Sequence, residues 1–109
     1  MRIAIVGSRN INNISLDFLL KNDTTEIVSG GARGVDTCAR LFAKKHGIKL
    51  TEFLPDYKRY GKAAPLKRNI TIIEYADEVV TFWDGSSRGT KFVIDKCKEI
   101  NKPITVIKF

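Results

Sequence analysis

The sequence is poor in the residues that build covalent or metal-held frameworks. It has two cysteines and one histidine in 109 residues. Nothing in their spacing marks a disulfide scaffold or a metal site, and no cofactor is implied. Cys38 and Cys97 both fall in helical patterns, and they are expected as small buried hydrophobes in a reducing compartment. His46 lies at the end of a helical stretch, away from every motif, which argues against a catalytic role. No apolar run approaches the ~20 residues of a membrane span. Met1–Gly7 is too short for a secretory h-region and has no small-residue cleavage site behind it. A cytoplasmic protein with no membrane partner is expected. Internal repeats, linkers and low-complexity segments are also missing, so residues 1–109 read as one domain.

Acidic residues are in deficit. Nineteen Lys and Arg face twelve Asp and Glu, a net charge of +7, which favours anionic partners. Most lysines fall on helix faces, where a solvated surface explains them. Four arginines, Arg9, Arg33, Arg68 and Arg88, fall instead in loop-like or motif segments. The most telling is Val28-Ser29-Gly30-Gly31-Ala32-Arg33-Gly34-Val35-Asp36. An apolar strand end enters three glycines within five residues and then an amphipathic helix. Glycine lets the backbone turn sharply and bring its N–H groups close to a ligand. The helix start adds unpaired N–H groups and the positive end of a dipole, and together they form an anion site. Arg33 adds a planar fork suited to phosphate oxygens.

In chain order, residues 3–7 form a buried parallel strand, followed by the turn Gly7-Ser8-Arg9. Ser15 can cap a short helix carrying Leu16, Phe18, Leu19 and Leu20, ended by Asn22-Asp23. Residues 26–29 form a second strand. From Gly34 to Lys45, Val35, Cys38, Ala39, Leu41 and Phe42 recur at helical spacing, and Gly47 suits the C-terminal cap. Residues 48–54 alternate as an edge strand stopped by Pro55, and residues 56–64 read as a loop. Pro65 opens a helix to about Tyr75 with Leu66, Ile70 and Ile73 inside and Arg68-Asn69 in its first turn. A strand at 78–83 leads into a third glycine-rich loop, Asp84–Thr90. Phe92, Val93, Cys97 and Ile100 mark a helix, and 104–107 a last strand. This alternation predicts a parallel sheet with helices on both faces, with ligand beyond the carboxyl ends of the strands.

Four segments together, Ile5-Val6-Gly7-Ser8-Arg9, Ser29 to Asp36, Arg68-Asn69, and Asp84-Gly85 with Arg88-Gly89-Thr90, resemble the SLOG superfamily of the SMF/DprA DNA-processing proteins and the LOG (Lonely Guy) proteins. The small stand-alone YspA/YpsA-like branch is most similar. The resemblance implies a three-layer Rossmann-like α/β domain with a five-stranded parallel sheet of order 3-2-1-4-5. It also implies a nucleotide or nucleotide-derived ligand, such as an ADP-ribose species, at the strand ends. Relatives include phosphoribohydrolases, DNA-binding members and sensors of nucleotide signals, some fused to defence effectors. In the LOG-type motif a glutamate follows the Gly-Thr pair by three residues. Arg68 and Gly89-Thr90 match that motif, but Val93 occupies the glutamate position, which favours binding over turnover.

The ligand-binding residues expected are Gly7, Ser8, Arg9, Gly30, Gly31, Arg33, Gly34, Asp36, Arg68, Asn69, Asp84, Gly85, Arg88, Gly89 and Thr90. Arg33 and Arg68 are the expected phosphate ligands. Asp36 reads equally as an acceptor for a ribose hydroxyl or as a helix-start carboxylate. Trp83 reads as a base-stacking ring or a buried strand end, and Asp56 and Tyr57 as pocket borders. Three functions stay open. One is a sensor, carrier or sequestering protein for a nucleotide-derived ligand, suited to act for a phage against a defence signal. Another is an N-glycoside phosphoribohydrolase, in which Arg68 and Asp36 would be catalytic. The third is a single-stranded nucleic-acid binder, although the sequence offers no basic groove rich in aromatics. A homo-oligomer, dimer or larger, also stays open.

Overall fold

The first strand sets the frame. In the computed structural model, β1 runs over Arg2–Gly7, and Ile3, Ala4 and Ile5 are buried. All residues are described except Asn22 and the Lys21 side chain. The chain continues through a 3₁₀ turn (Asp17–Lys21), β2 (Glu26–Ser29), α1 (Val35–His46), β3 (Lys49–Glu52) and a short α2 (Tyr57–Tyr60). Then come α3 (Ala64–Tyr75), β4 (Glu78–Trp83), α4 (Arg88–Glu99) and β5 (Ile104–Lys108).

The sheet has five parallel strands in the order β3-β2-β1-β4-β5. This is the parallel α/β class that the alternation predicts and the strand order that the family resemblance implies. Side chains alternate across β1, so Ile3 and Ile5 face one layer and Ala4 the other. The first layer joins Ile3, Ile5 and Ile27 to Leu16, Leu19, Val35, Ala39 and Phe42. The second joins Ala4, Val28 and Val79 to Ile72, Ile73, Val93 and Cys97. The 3₁₀ turn and α1 therefore cover one face, and α3 and α4 the other. Each fully buried Ile or Val contributes about 1.5–3 kcal/mol.

Helix α1 buries Val35, Ala39, Phe42 and Ala43, a stripe at helical spacing. Gly47 ends it in the left-handed region (φ 64°), and Ile48 N–H donates back to Ala43 O at 2.9 Å. Among the described residues no helix is long and apolar enough to cross a membrane.

Several local expectations are corrected. The first connection is a 3₁₀ turn rather than an α-helix, and Asp17 N–H donates to Ser15 Oγ at 3.4 Å. Its expected end at Asn22 lies outside the described residues. Residues 57–63 are helical instead of a loop, because Asp56 Oδ1 accepts from Arg59 N–H (3.2 Å) and caps a turn. Leu41 and Leu66 are exposed, Ile70 is half-buried, and Ile100 lies exposed beyond the end of α4. Buried Asn69 takes a place in the inner stripe of α3, which rotates the face away from Leu66. Arg68 begins the second turn of α3, since the helix starts at Ala64. Cys38 is half-buried, with its thiol against Asn12 O at 3.0 Å.

Candidate functional site

From β1 the chain winds outward through β2 and β3, then crosses back to β4 and β5. The direction of winding reverses between β1 and β4, and a crevice opens at the carboxyl ends there. It is a cleft of about 700 Å³ lined by the loops after β1, β2 and β4 and by α3.

The β1 loop is tied to the β4 loop at Ser8. Its N–H donates to Phe82 O (3.1 Å), and its buried Oγ accepts from Asp84 N–H (3.3 Å). Arg9, exposed, follows on the cleft wall with Asn10 and Asn12. The β2 loop folds tightly. Gly31 N–H donates to Ser29 Oγ (3.2 Å) and Ala32 N–H to Asp36 Oδ2 (3.0 Å). Gly34 has φ +75°, and a Cβ there would lie 2.5 Å from the Arg9 carbonyl oxygen. Only glycine lets the start of α1 pass so close under the β1 loop. Arg33 is exposed on this loop and lines the cleft. Among the described residues neither Arg33 nor Arg9 meets a carboxylate within ion-pair distance.

In the β4 loop, Asp84 Oδ1 accepts from Ser86 N–H (2.9 Å) and Ser87 N–H (2.8 Å). Those two bonds hold the Asp84 carboxyl below its usual range. Trp83 Nε1–H donates to Ser87 O (3.1 Å), and the Ser87 and Thr90 hydroxyls lie 3.3 Å apart. Among the described residues no side chain caps the first turn of α1 or of α4. Their first N–H groups have no intrahelical acceptor and add positive dipole ends to the crevice.

Arg68 enters from α3. Its Nη1 donates to Gly30 O (2.8 Å) and Phe53 O (3.4 Å), and its Nε to Asn69 Oδ1 (2.9 Å). A Cβ on Gly30 would lie 2.8 Å from Arg68 Cζ and 3.1 Å from Asp36 Oδ2. The guanidinium and the carboxylate thus flank Gly30 together. Burial pushes the Asp36 carboxyl up, opposed by the Ala32 N–H and the Arg68 charge. The cleft edge carries three arginines (Arg9, Arg33, Arg68) against two aspartates (Asp36, Asp84), a surplus that suits an anion.

Of the expected residues, Gly7, Ser8, Arg9, Gly30, Arg33, Asp36, Arg68, Asn69, Asp84, Gly89 and Thr90 line the cleft. Gly31, Gly34, Gly85 and Arg88 do not, nor do Trp83, Asp56 and Tyr57. Gly31 and Gly34 shape the β2 loop instead, and Trp83 fastens the β4 loop. Val93 is fully buried against the sheet. Ala32, Ser87, Asn10, Asn12 and Pro65 also line the cleft. Ser87, inside the third glycine-rich loop, was legible from that composition. Asn10 and Asn12 carry no motif in the sequence that marks them as ligands. Among the described residues no His, Cys, Asp or Glu cluster could hold a metal ion.

A family model described as YAcAr, the YspA, cpYpsA-related SLOG family, matches residues 1–60. The chain belongs to this SLOG family. No curated protein and no solved structure matches it. The matched span of this SLOG domain runs from β1 to α2 and carries Arg9, Arg33 and Asp36. Arg68, Asn69 and the β4 loop lie beyond it. Membership in the family is consistent with a nucleotide-related ligand.

Proposed function

We propose that this SLOG domain binds a nucleotide-derived ligand of the ADP-ribose type, acting as a sensor, carrier or sequestering protein. The observation that carries this reading is the convergence of two uncapped helix starts and three arginines on one cleft at the strand ends. A phosphate group suits the N-termini of α1 and α4, with Arg33 and Arg9 closing over it from the rim. Arg68 already donates to two backbone carbonyls and to Asn69, so its role is to fix the wall as well as to add charge. Asn69 and Asp36 offer an amide and a carboxylate for ribose hydroxyls.

Calorimetry with ADP-ribose tests the reading. Removing a charged hydrogen bond generally costs about 1.5–3 kcal/mol, roughly a tenfold to hundredfold loss of affinity. Arg33→Ala is expected to lose that much while its melting temperature stays at the wild-type value. Unchanged affinity in Arg33→Ala and Arg9→Ala would remove both from the site. No binding of ADP-ribose or AMP to the wild type would overturn the reading.

A phosphoribohydrolase is the second reading, favoured by one observation: a buried carboxyl with a raised pKa, Asp36, borders the cleft. Against it, Val93 puts an aliphatic side chain in the core at the position of the LOG-type glutamate. Losing an acid or base generally lowers rates by 10²–10⁴-fold. Chromatography of free base released from AMP is expected to show almost none over hours. Release near one per second that vanishes in Asp36→Asn would establish the enzyme.

A further inference from the structure

A second hollow of about 290 Å³ lies between α2 and α3, lined by Leu54, Asp56, Tyr60, Lys67, Arg68 and Ile70. Arg68 borders this hollow and the main cleft alike. Its Nη1 bridges Gly30 O on the phosphate loop and Phe53 O, one residue before Leu54. Leu54 packs against the β2 loop: a Cβ built on Gly31 would lie 2.6 Å from Leu54 Cδ2. The two cavities are therefore neighbours across one guanidinium.

Their chemistry differs. The main cleft is edged with arginines and helix starts, which suits phosphates. The hollow has a half-exposed aromatic ring, a leucine that is 68% exposed, and one carboxylate. Arg59 Cζ lies 5.2 Å and Lys67 Nζ 5.8 Å from the Tyr60 ring centroid. Among the described residues neither cation meets a carboxylate within ion-pair distance. A flat heterocycle would take the place of these flexible cations over the Tyr60 ring, with Leu54 beside it, and Asp56 can accept from an exocyclic amine.

We propose that the α2–α3 hollow takes the second nucleobase of a dinucleotide whose phosphates occupy the main cleft. This rests on the phosphate reading of the cleft and deepens it: the ligand has two bases, not one.

ADP-ribose and diadenosine diphosphate form a matched pair, because the second adds only an adenine on the distal ribose. Base stacking on an aromatic side chain is worth roughly fivefold to 150-fold in affinity. Titration calorimetry is expected to find diadenosine diphosphate tighter than ADP-ribose by a factor in that range. Tyr60→Ala should bring the ratio to about one and leave ADP-ribose affinity unchanged. Tyr60→Phe should keep the preference. Equal affinities in the wild type, or a preference that survives Tyr60→Ala, would overturn the second-base subsite while the phosphate site stands. If neither compound binds, the phosphate reading fails and the subsite with it. Tyr60 is half-exposed on a short helix, and circular dichroism of each variant checks that it is folded.

Discussion

At the residue scale, two carboxylates respond to pH in opposite senses. Glu26 is buried at the start of β2, accepting from the Tyr75 hydroxyl and Thr51 Oγ1, with Lys49 at 3.5 Å. The Tyr75 and Thr51 bonds hold its carboxyl below the usual range, helped by Lys49. A depressed folded-state pKa means stability that is fully present above the unfolded value and lost as pH falls through the folded one. Thermal melts of Glu26→Gln should therefore lie below wild type near pH 7, with the gap closing toward pH 3. A gap independent of pH would show that packing, not charge, sets the difference. Asp36 works the other way. Burial raises its pKa, so the folded state loses stability as pH rises between the unfolded and folded values. Asp36→Asn can still accept from Ala32 N–H, so it is expected to melt at or above wild type at pH 7. A lower melting temperature there would mean that the ionised carboxylate beside Arg68 stabilises the fold.

At the element scale, what the sequence could tell depended on how each element is stabilised. The strands and α1 were legible because burial writes itself as apolar runs and stripes. Helix α2 was not, since residues 57–60 bury nothing and so leave no stripe. Its only signals were Asp56 as a cap and Gly61 behind it. In α3 the pattern misled, because polar Asn69 occupies an inner position while the apolar Leu66 faces solvent. Asn69 is held there by the Arg68 Nε–H, a tertiary arrangement that periodicity cannot encode. The candidate site was legible through its glycines, and Gly34 illustrates why. Its positive φ and its approach to the Arg9 backbone both forbid a side chain. Gly34→Ala would force either the β1 loop or α1 to move, at about 1–3 kcal/mol for the strained backbone alone. Denaturant unfolding is expected to show that loss, and ADP-ribose binding to fall with it. Wild-type stability in this variant would mean that the two loops are not rigidly packed.

At the scale of the whole molecule, a charge of +7 invites nucleic acid, and its distribution decides how much. Arg9, Arg33 and Arg68 lie on the cleft, while Lys58, Arg59, Lys62 and Lys67 cluster around α2 and the start of α3. Lys91 and Lys96 are paired with Asp95 and Glu99 on α4. Single-strand binders use a charged track with successive stacking rings. Here Arg9, Arg33 and Arg68 line a bounded cleft, Lys67 lines the hollow, and the exposed rings beside the α2 cations are two, Tyr57 and Tyr60, which is short of a track. Binding to a short oligonucleotide is expected to be weak, indifferent to sequence and driven by counterion release. A protein touching six to ten phosphates by that route loses roughly 10³–10⁵ in affinity between 50 and 200 mM salt. A small ligand seated at two helix starts carries no condensed counterion atmosphere to release, so its affinity should fall far less over the same range. Fluorescence anisotropy of a labelled single strand, run beside calorimetry of ADP-ribose at both salt concentrations, separates the two. A steep slope for the strand with a shallow one for ADP-ribose marks strand binding as electrostatic and supports the small-molecule reading. A strand that still binds tightly at 200 mM salt would make nucleic acid the ligand and the small-molecule reading secondary.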